Sequence, residues 1–169
     1  MPMYRYIFQI DTSIPASEQP QDIRLTLACE WNRHLPHLDN VQLTRFDHDV
    51  ILQRYFTYGG SWLLCLIPEL FLHDMLYALT AESEPNQQTR LQHYSPFLHC
   101  SLMAFATAYS DNPAISAPAT RAKFSACAKQ WLDDEFKHPR MSLVRALSLL
   151  AEYHCGVGER DTGYMYMGE

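Results

Sequence analysis

No stretch of this chain stays apolar for the roughly 20 residues that a membrane-spanning helix needs. The most apolar run, Ser61 to Leu72, is interrupted by Pro68 and Glu69. The first residues lack the layout of a secretory signal: Arg5 stands among aromatics, and no small-residue cleavage site follows. Cysteine pairing is also missing. Five cysteines, at 29, 65, 100, 127 and 155, are scattered, and no two stand at the two-to-four-residue spacing of a structural zinc site. An odd, dispersed set reads as reduced thiols in a reducing compartment, serving as small apolar core residues. Basic charge is scarce, with 13 Lys and Arg against 19 Asp and Glu and a formal net charge of −6. Nucleic acid is therefore an unfavourable partner, because it needs a basic footprint. Catalytic frames are absent too. Ser61 has no Gly-x-Ser-x-Gly setting, and Gly156-x-Gly158 follows no strand that could make it a phosphate cradle.

What remains is globular. Of the 169 residues 47% are hydrophobic and 19% charged, enough for one domain with a real core. Met1 to Ile10 alternates, with Tyr4, Tyr6, Phe8 and Ile10 on one side, which is strand periodicity in an extended arm. Ile14 to Gln21 carries Pro15 and Pro20 and reads as linker. Asp22 to Trp31 has helical spacing and ends in a loop around Pro36; His34 and His37 straddle that proline and make poor metal ligands.

From Asp47 onward the period is helical. Thr44 or Asp47 caps a helix over 47–59 with Ile51, Tyr55 and Tyr58 on one face and Leu52 and Phe56 beside it. Pro68 opens another, with Phe71, Leu72, Met75, Leu76 and Leu79 inward; 80–92 is polar loop. Ser95 and Pro96 start a third, striped by Leu98, Leu102, Phe105 and Tyr109, while Ala104, Ala106 and Ala108 permit close approach. A fourth begins at Pro118 or Ala119, buries Phe124, Ala128, Trp131, Leu132 and Phe136, and stops before Pro139. Its end, Asp133-Asp134-Glu135, reads as a solvated face. Ser142 is a candidate N-cap for the next helix, whose face is Leu143, Ala146, Leu147, Leu150 and Tyr153. Gly156 and Gly158 end it. Asp161 and Thr162 cap a last helix with Tyr164, Met165 and Met167 on its apolar side.

Three of these stretches carry a further pattern. Tyr55, Phe56, Tyr58 and Trp62 form an aromatic helix end. Ser95 to Pro113 is an alanine-rich helix closing on Tyr109 and Ser110. Pro139, Ser142, Ala146, Leu147, Leu150, Tyr153, Gly156, Gly163, Tyr164 and Gly168 form a helix, a glycine turn and a second helix start. In this order they resemble the fungal-specific transcription factor domain, the middle homology region of fungal zinc-cluster regulators. The resemblance covers roughly Trp31 to Glu169. It departs from the family at Gly59-Gly60, where members usually carry a histidine.

The resemblance implies an all-α fold, an irregular array of antiparallel helical hairpins. Residues 1–30 would be arm and linker, and 31–169 the N-terminal part of a larger helical domain that continues past Glu169. It implies transcription regulation in the nucleus by a segment that is not an enzyme and does not touch DNA. The family's zinc cluster belongs to an N-terminal module this chain lacks, so no cofactor is expected here. Protein partners or self-association, with a possible small-molecule effector, are expected instead. The other reading of the stripes is a helical protein-interaction scaffold without a transcription role. His154-Cys155 as a catalytic pair is disfavoured, since adjacent helical residues point apart.

Overall fold

The computed structural model describes residues 4–19, 29–59, 66–80 and 91–168. Among them the fold is all-α, with no strand. The helices are α1 (Arg45–Arg54), α2 (Pro68–Leu79), α3 (Pro96–Ala106), α4 (Pro113–Ser116), α5 (Pro118–Gln130), α6 (Leu132–Lys137), α7 (Met141–Gly156) and α8 (Arg160–Met167).

Helix α3 is the axis. Ser95 caps it by accepting from the Leu98 amide, and Pro96 occupies its first turn. Every residue from Phe97 to Ala106 except Phe105 is buried, so it is enclosed on all sides rather than striped. Small residues at Cys100, Ser101, Ala104 and Ala106 let α5 and α7 approach it closely, and α8 packs back on α7. On the far side α1 lies against α3, and Phe71 of α2 sets its ring 6.3 Å from that of His99.

Helix α1 starts at a capping box. The Asp47 amide donates to Thr44 Oγ1, and the Thr44 amide donates to the Asp47 carboxylate. Its end loosens into a π turn over Tyr55–Gly59. Ile51, Leu52 and Tyr55 are buried there and Phe56 half-buried, but Tyr58 is 54% exposed, because the wider turn carries it off the predicted face.

Several expectations give way. Arg5–Gln9 is a 3-10 turn and not a strand: Tyr6, Ile7 and Ile10 are buried and Phe8 faces out, so the alternation described neither its hydrogen bonds nor its buried side. The expected single helix after Pro118 breaks at Trp131, and beyond the break Phe136 is 56% exposed. In the expected acidic face, Glu135 is buried against Arg140, 3.0 Å away. Ser142 is not a cap; the cap position falls two residues earlier, at Arg140, and the Ser142 hydroxyl is buried without a hydrogen-bond partner among the described residues. Gly156 remains helical, and the left-handed residue that ends the connection is Gly158, φ +89°. Helix α8 starts at Arg160 with no side-chain cap, so Asp161 and Thr162 lie inside it. Its inward residues are Gly163 and Tyr166, while Tyr164, Met165 and Met167 point outward. Of the expected helix over 22–31, residues 22–28 lie outside the described residues, as do Trp62 and most of the loop over 80–92; Cys29, Glu30 and Trp31 are described and form a bend and turn, not a helix.

Candidate functional site

The least expected chemistry sits where α1, α3 and the N-terminal turn meet. Tyr6 donates its hydroxyl to Asp49 Oδ2. Asp49 Oδ1 is 3.0 Å from His48 Nδ1. His48 Nε2 is 2.9 Å from His99 Nε2, and His99 Nδ1 is 3.3 Å from the Tyr94 hydroxyl. All five side chains are buried, so the cost of taking polar groups out of water is met by this one chain of hydrogen bonds.

Each link holds one proton, and that restricts the relay to two arrangements. Burial pushes His48 down to about 3 and His99 well below the usual imidazole range. Both rings are therefore neutral, each with one N–H. Burial raises the Asp49 carboxyl well above the carboxylate range. With Asp49 protonated, every link points one way: Asp49 donates to His48 Nδ1, His48 Nε2 to His99 Nε2, and His99 Nδ1 to the Tyr94 oxygen. With Asp49 ionised, all three links reverse. Moving one proton thus reorients the row from the N-terminal turn to Tyr94.

Tyr94 borders a cavity of about 210 Å³ together with His34, Trp131, Glu135, His138 and Arg140. The floor is anchored by the buried Glu135–Arg140 pair, and the second Glu135 oxygen has no hydrogen-bond partner among the described residues. Ordinary ligand pockets measure about 300–1,000 Å³, so this one suits a small molecule rather than a large cofactor.

A second polar group surrounds His154. Its Nδ1 is 2.5 Å from Glu159 Oε2, and Nε2 is 3.5 Å from the Ser125 hydroxyl. Tyr166 stacks on the ring at 5.5 Å. The order serine, histidine, carboxylate is that of a nucleophilic triad. Yet Ser125 is 3% exposed, and no substrate reaches a hydroxyl sealed between helices. The set holds α5, α7 and α8 together. Glu159 is the orienting partner that sequence reasoning about His154 did not find, because the turn after α7 brings it back.

The sequence-predicted motif residues divide by position. Tyr55 is buried against Gly59, and a Cβ on Gly59 would sit 3.0 Å from the Tyr109 hydroxyl, so the first and second signatures meet there. Leu150 and Tyr153 are buried, and Leu147 is half-buried. Gly163 is where α8 crosses α7: a Cβ there would lie 2.5 Å from Cys155 Sγ and 3.0 Å from the Ala151 carbonyl oxygen. Gly168 caps α8 at φ +83°. Gly156 and Tyr164 are exposed and meet no site. The buried ones shape the fold; none of these residues lines the cavity at Tyr94, though Ser95 and Pro96, at the start of the second signature, do. That site was missed because His48, Asp49 and His99 match no catalytic or metal-binding motif, and His99 stands far from the other two in sequence. The available signal was an ionisable residue in register with an apolar stripe, His48 with Leu52 and Tyr55, and His99 with Leu102 and Ala106.

Among the described residues no group of three or more His, Cys, Asp or Glu side chains is placed to hold a metal ion, and no helix is long and apolar enough to cross a membrane. No family model, no curated protein and no solved structure matches the chain.

Proposed function

We propose that this chain is the regulatory segment of a fungal zinc-cluster transcription factor, acting in the nucleus by binding an effector or a protein partner and not by contacting DNA. The observation that carries the reading is the set of three signatures in family order, the first at the π turn after α1, the second on α3 and the turn that follows it, the third on the α7–α8 pair, with the motif residues Tyr55, Tyr109 and Gly163 at points of close packing. The net charge of −6 agrees with a division of labour in which a separate basic module holds the DNA. The cavity beside Tyr94 offers a place for a small effector, and the apolar groove formed by Phe136, Leu147, Met165, Tyr166 and Met167 suits a protein-facing role. That groove equally fits a helical scaffold with no role in transcription, and a tethering experiment separates the two.

The chain is fused to an unrelated DNA-binding module in a fungal host and reporter output is read. A regulatory segment changes output relative to the module alone, and the unfused chain is not retained on duplex DNA at physiological salt. Unchanged output from a folded, nuclear fusion removes the transcription reading and leaves the scaffold. Retention of the unfused chain on a promoter fragment contradicts the division of labour.

A further inference from the structure

Cys100 and Cys127 are distant in sequence, but α3 and α5 bring their sulfur atoms to 3.4 Å. Both thiols also reach one acceptor, the His34 carbonyl oxygen, at 3.2 and 3.3 Å. Core cysteines that only fill space meet apolar atoms. These two meet each other and a backbone carbonyl. Cys100 is fully buried within α3, whereas Cys127 is half-exposed and borders a cleft of about 390 Å³ that also has Arg33, His37 and Lys123 in its walls. One sulfur is open to a small reagent and the other waits behind it.

We propose that Cys127 and Cys100 form an oxidant-sensing dithiol, which a hydroperoxide closes to a disulfide across α3 and α5, withdrawing both thiol donors from the His34 carbonyl and loosening the segment that carries it. The Cys127 sulfur, as thiolate, attacks the outer peroxide oxygen. An S–O bond forms, the O–O bond breaks, and the departing oxygen leaves with a proton as water or an alcohol. The Cys100 sulfur then attacks the Cys127 sulfenic acid. The S–S bond forms, the S–O bond breaks, and hydroxide leaves with the Cys100 proton as water. Two thiols and one hydroperoxide become one disulfide, one alcohol or water, and one further water.

The roles follow from the surroundings. The contact with Cys100 holds the Cys127 thiol below its usual range, while that same contact and burial push Cys100 up. The more acidic and more exposed sulfur is the attacker, and the buried one resolves. From 3.4 Å, a bond length of about 2.05 Å needs a closure of roughly 1.4 Å, within reach of rotamer change between helices already in contact. The His34 ring lies 5.3 Å from that of Trp131, edge on, so movement of the segment alters a tryptophan's environment.

The test treats the whole chain with hydrogen peroxide, blocks remaining thiols and maps the peptides. The expected product is a Cys100–Cys127 cross-link, with a change in tryptophan fluorescence that dithiothreitol reverses. In Cys100→Ser the reaction stops at a sulfenic acid on Cys127, trapped by dimedone. In Cys127→Ser the peroxide reaction at this pair slows by about tenfold or more. The wild-type map needs no variant to fold: absence of this cross-link from the folded chain, or a disulfide joining other cysteines in its place, overturns the proposal. A cross-link that leaves the fluorescence unchanged overturns the release of the His34 segment.

Discussion

Gly156 and Gly163 stand on either side of the turn between α7 and α8, and an added methyl group meets opposite surroundings at the two. At Gly163 it would press on Cys155 Sγ and on the Ala151 carbonyl. The thiol can rotate away, but the carbonyl belongs to α7 and yields only if the helices separate. At Gly156 nothing lies within 4 Å and the residue is helical, so alanine restricts only the unfolded chain. Gly163→Ala is therefore expected to cost about 1–3 kcal/mol, while Gly156→Ala raises stability by up to about 1 kcal/mol. Urea titrations of the two variants check this, and equal effects would show that the helix crossing is not tight at Gly163. At this scale the sequence was legible for Gly163 as a motif position but silent on its reason, since the close contact comes from a residue on another helix. Ser142 shows the opposite failure. Its type and place before an apolar run satisfy the local rule for a cap, yet Arg140 pairs with Glu135 and α7 starts two residues sooner, leaving the serine in the interior.

At the scale of elements, the Asp49–His48–His99–Tyr94 row joins α1 to α3, and Tyr6 adds the N-terminal turn. The helices themselves were legible, because a capping box, Pro at first turns and apolar stripes are local signals. The row was not, since no local rule says that His48 of one helix will face His99 of another. Its proton arrangement is open to a substitution. If Asp49 is the protonated donor, asparagine reproduces it: the amide N–H donates to His48 Nδ1 and the amide oxygen accepts from Tyr6. Asp49→Asn is then expected to leave stability near pH 7 within about 0.5 kcal/mol or to raise it. Asp49→Leu strands the Tyr6 hydroxyl and a ring nitrogen and should cost about 1–3 kcal/mol for each buried group left without a partner. Thermal melts of both variants decide. A loss in the asparagine variant as large as in the leucine variant would mean that Asp49 is ionised and accepts from His48.

For the whole molecule, the same row sets how stability responds to acid. The sequence shows eight histidines and a net charge of −6 but not which histidines are sealed, so this behaviour was not legible in it. His48 is held at about 3 against 6.5 in the unfolded chain, and His99 is also depressed. A depressed group contributes stability that is present in full above about 6.5 and is lost as pH falls toward the folded value. Asp49, raised above 3.8, has the opposite sign: its contribution is present in full at low pH and is lost as pH rises through the folded value. As pH falls below about 6.5 the unfolded chain takes up protons on the histidines that the folded chain does not, and wherever folded Asp49 keeps its proton that bound proton offsets one of them. The row therefore loses stability as pH falls, less steeply than the two histidines alone would dictate. In Asp49→Asn the opposing proton is gone, and the loss of stability on acidification is expected to be steeper than in the wild-type chain. Relief of negative self-repulsion on acidification is shared by both proteins and cancels in the comparison. Denaturant titrations of the two proteins from pH 7 to 5 measure the two slopes. Parallel slopes would mean that folded Asp49 carries no proton over this range, and the direction of the row would then be the reverse of the one assigned to it.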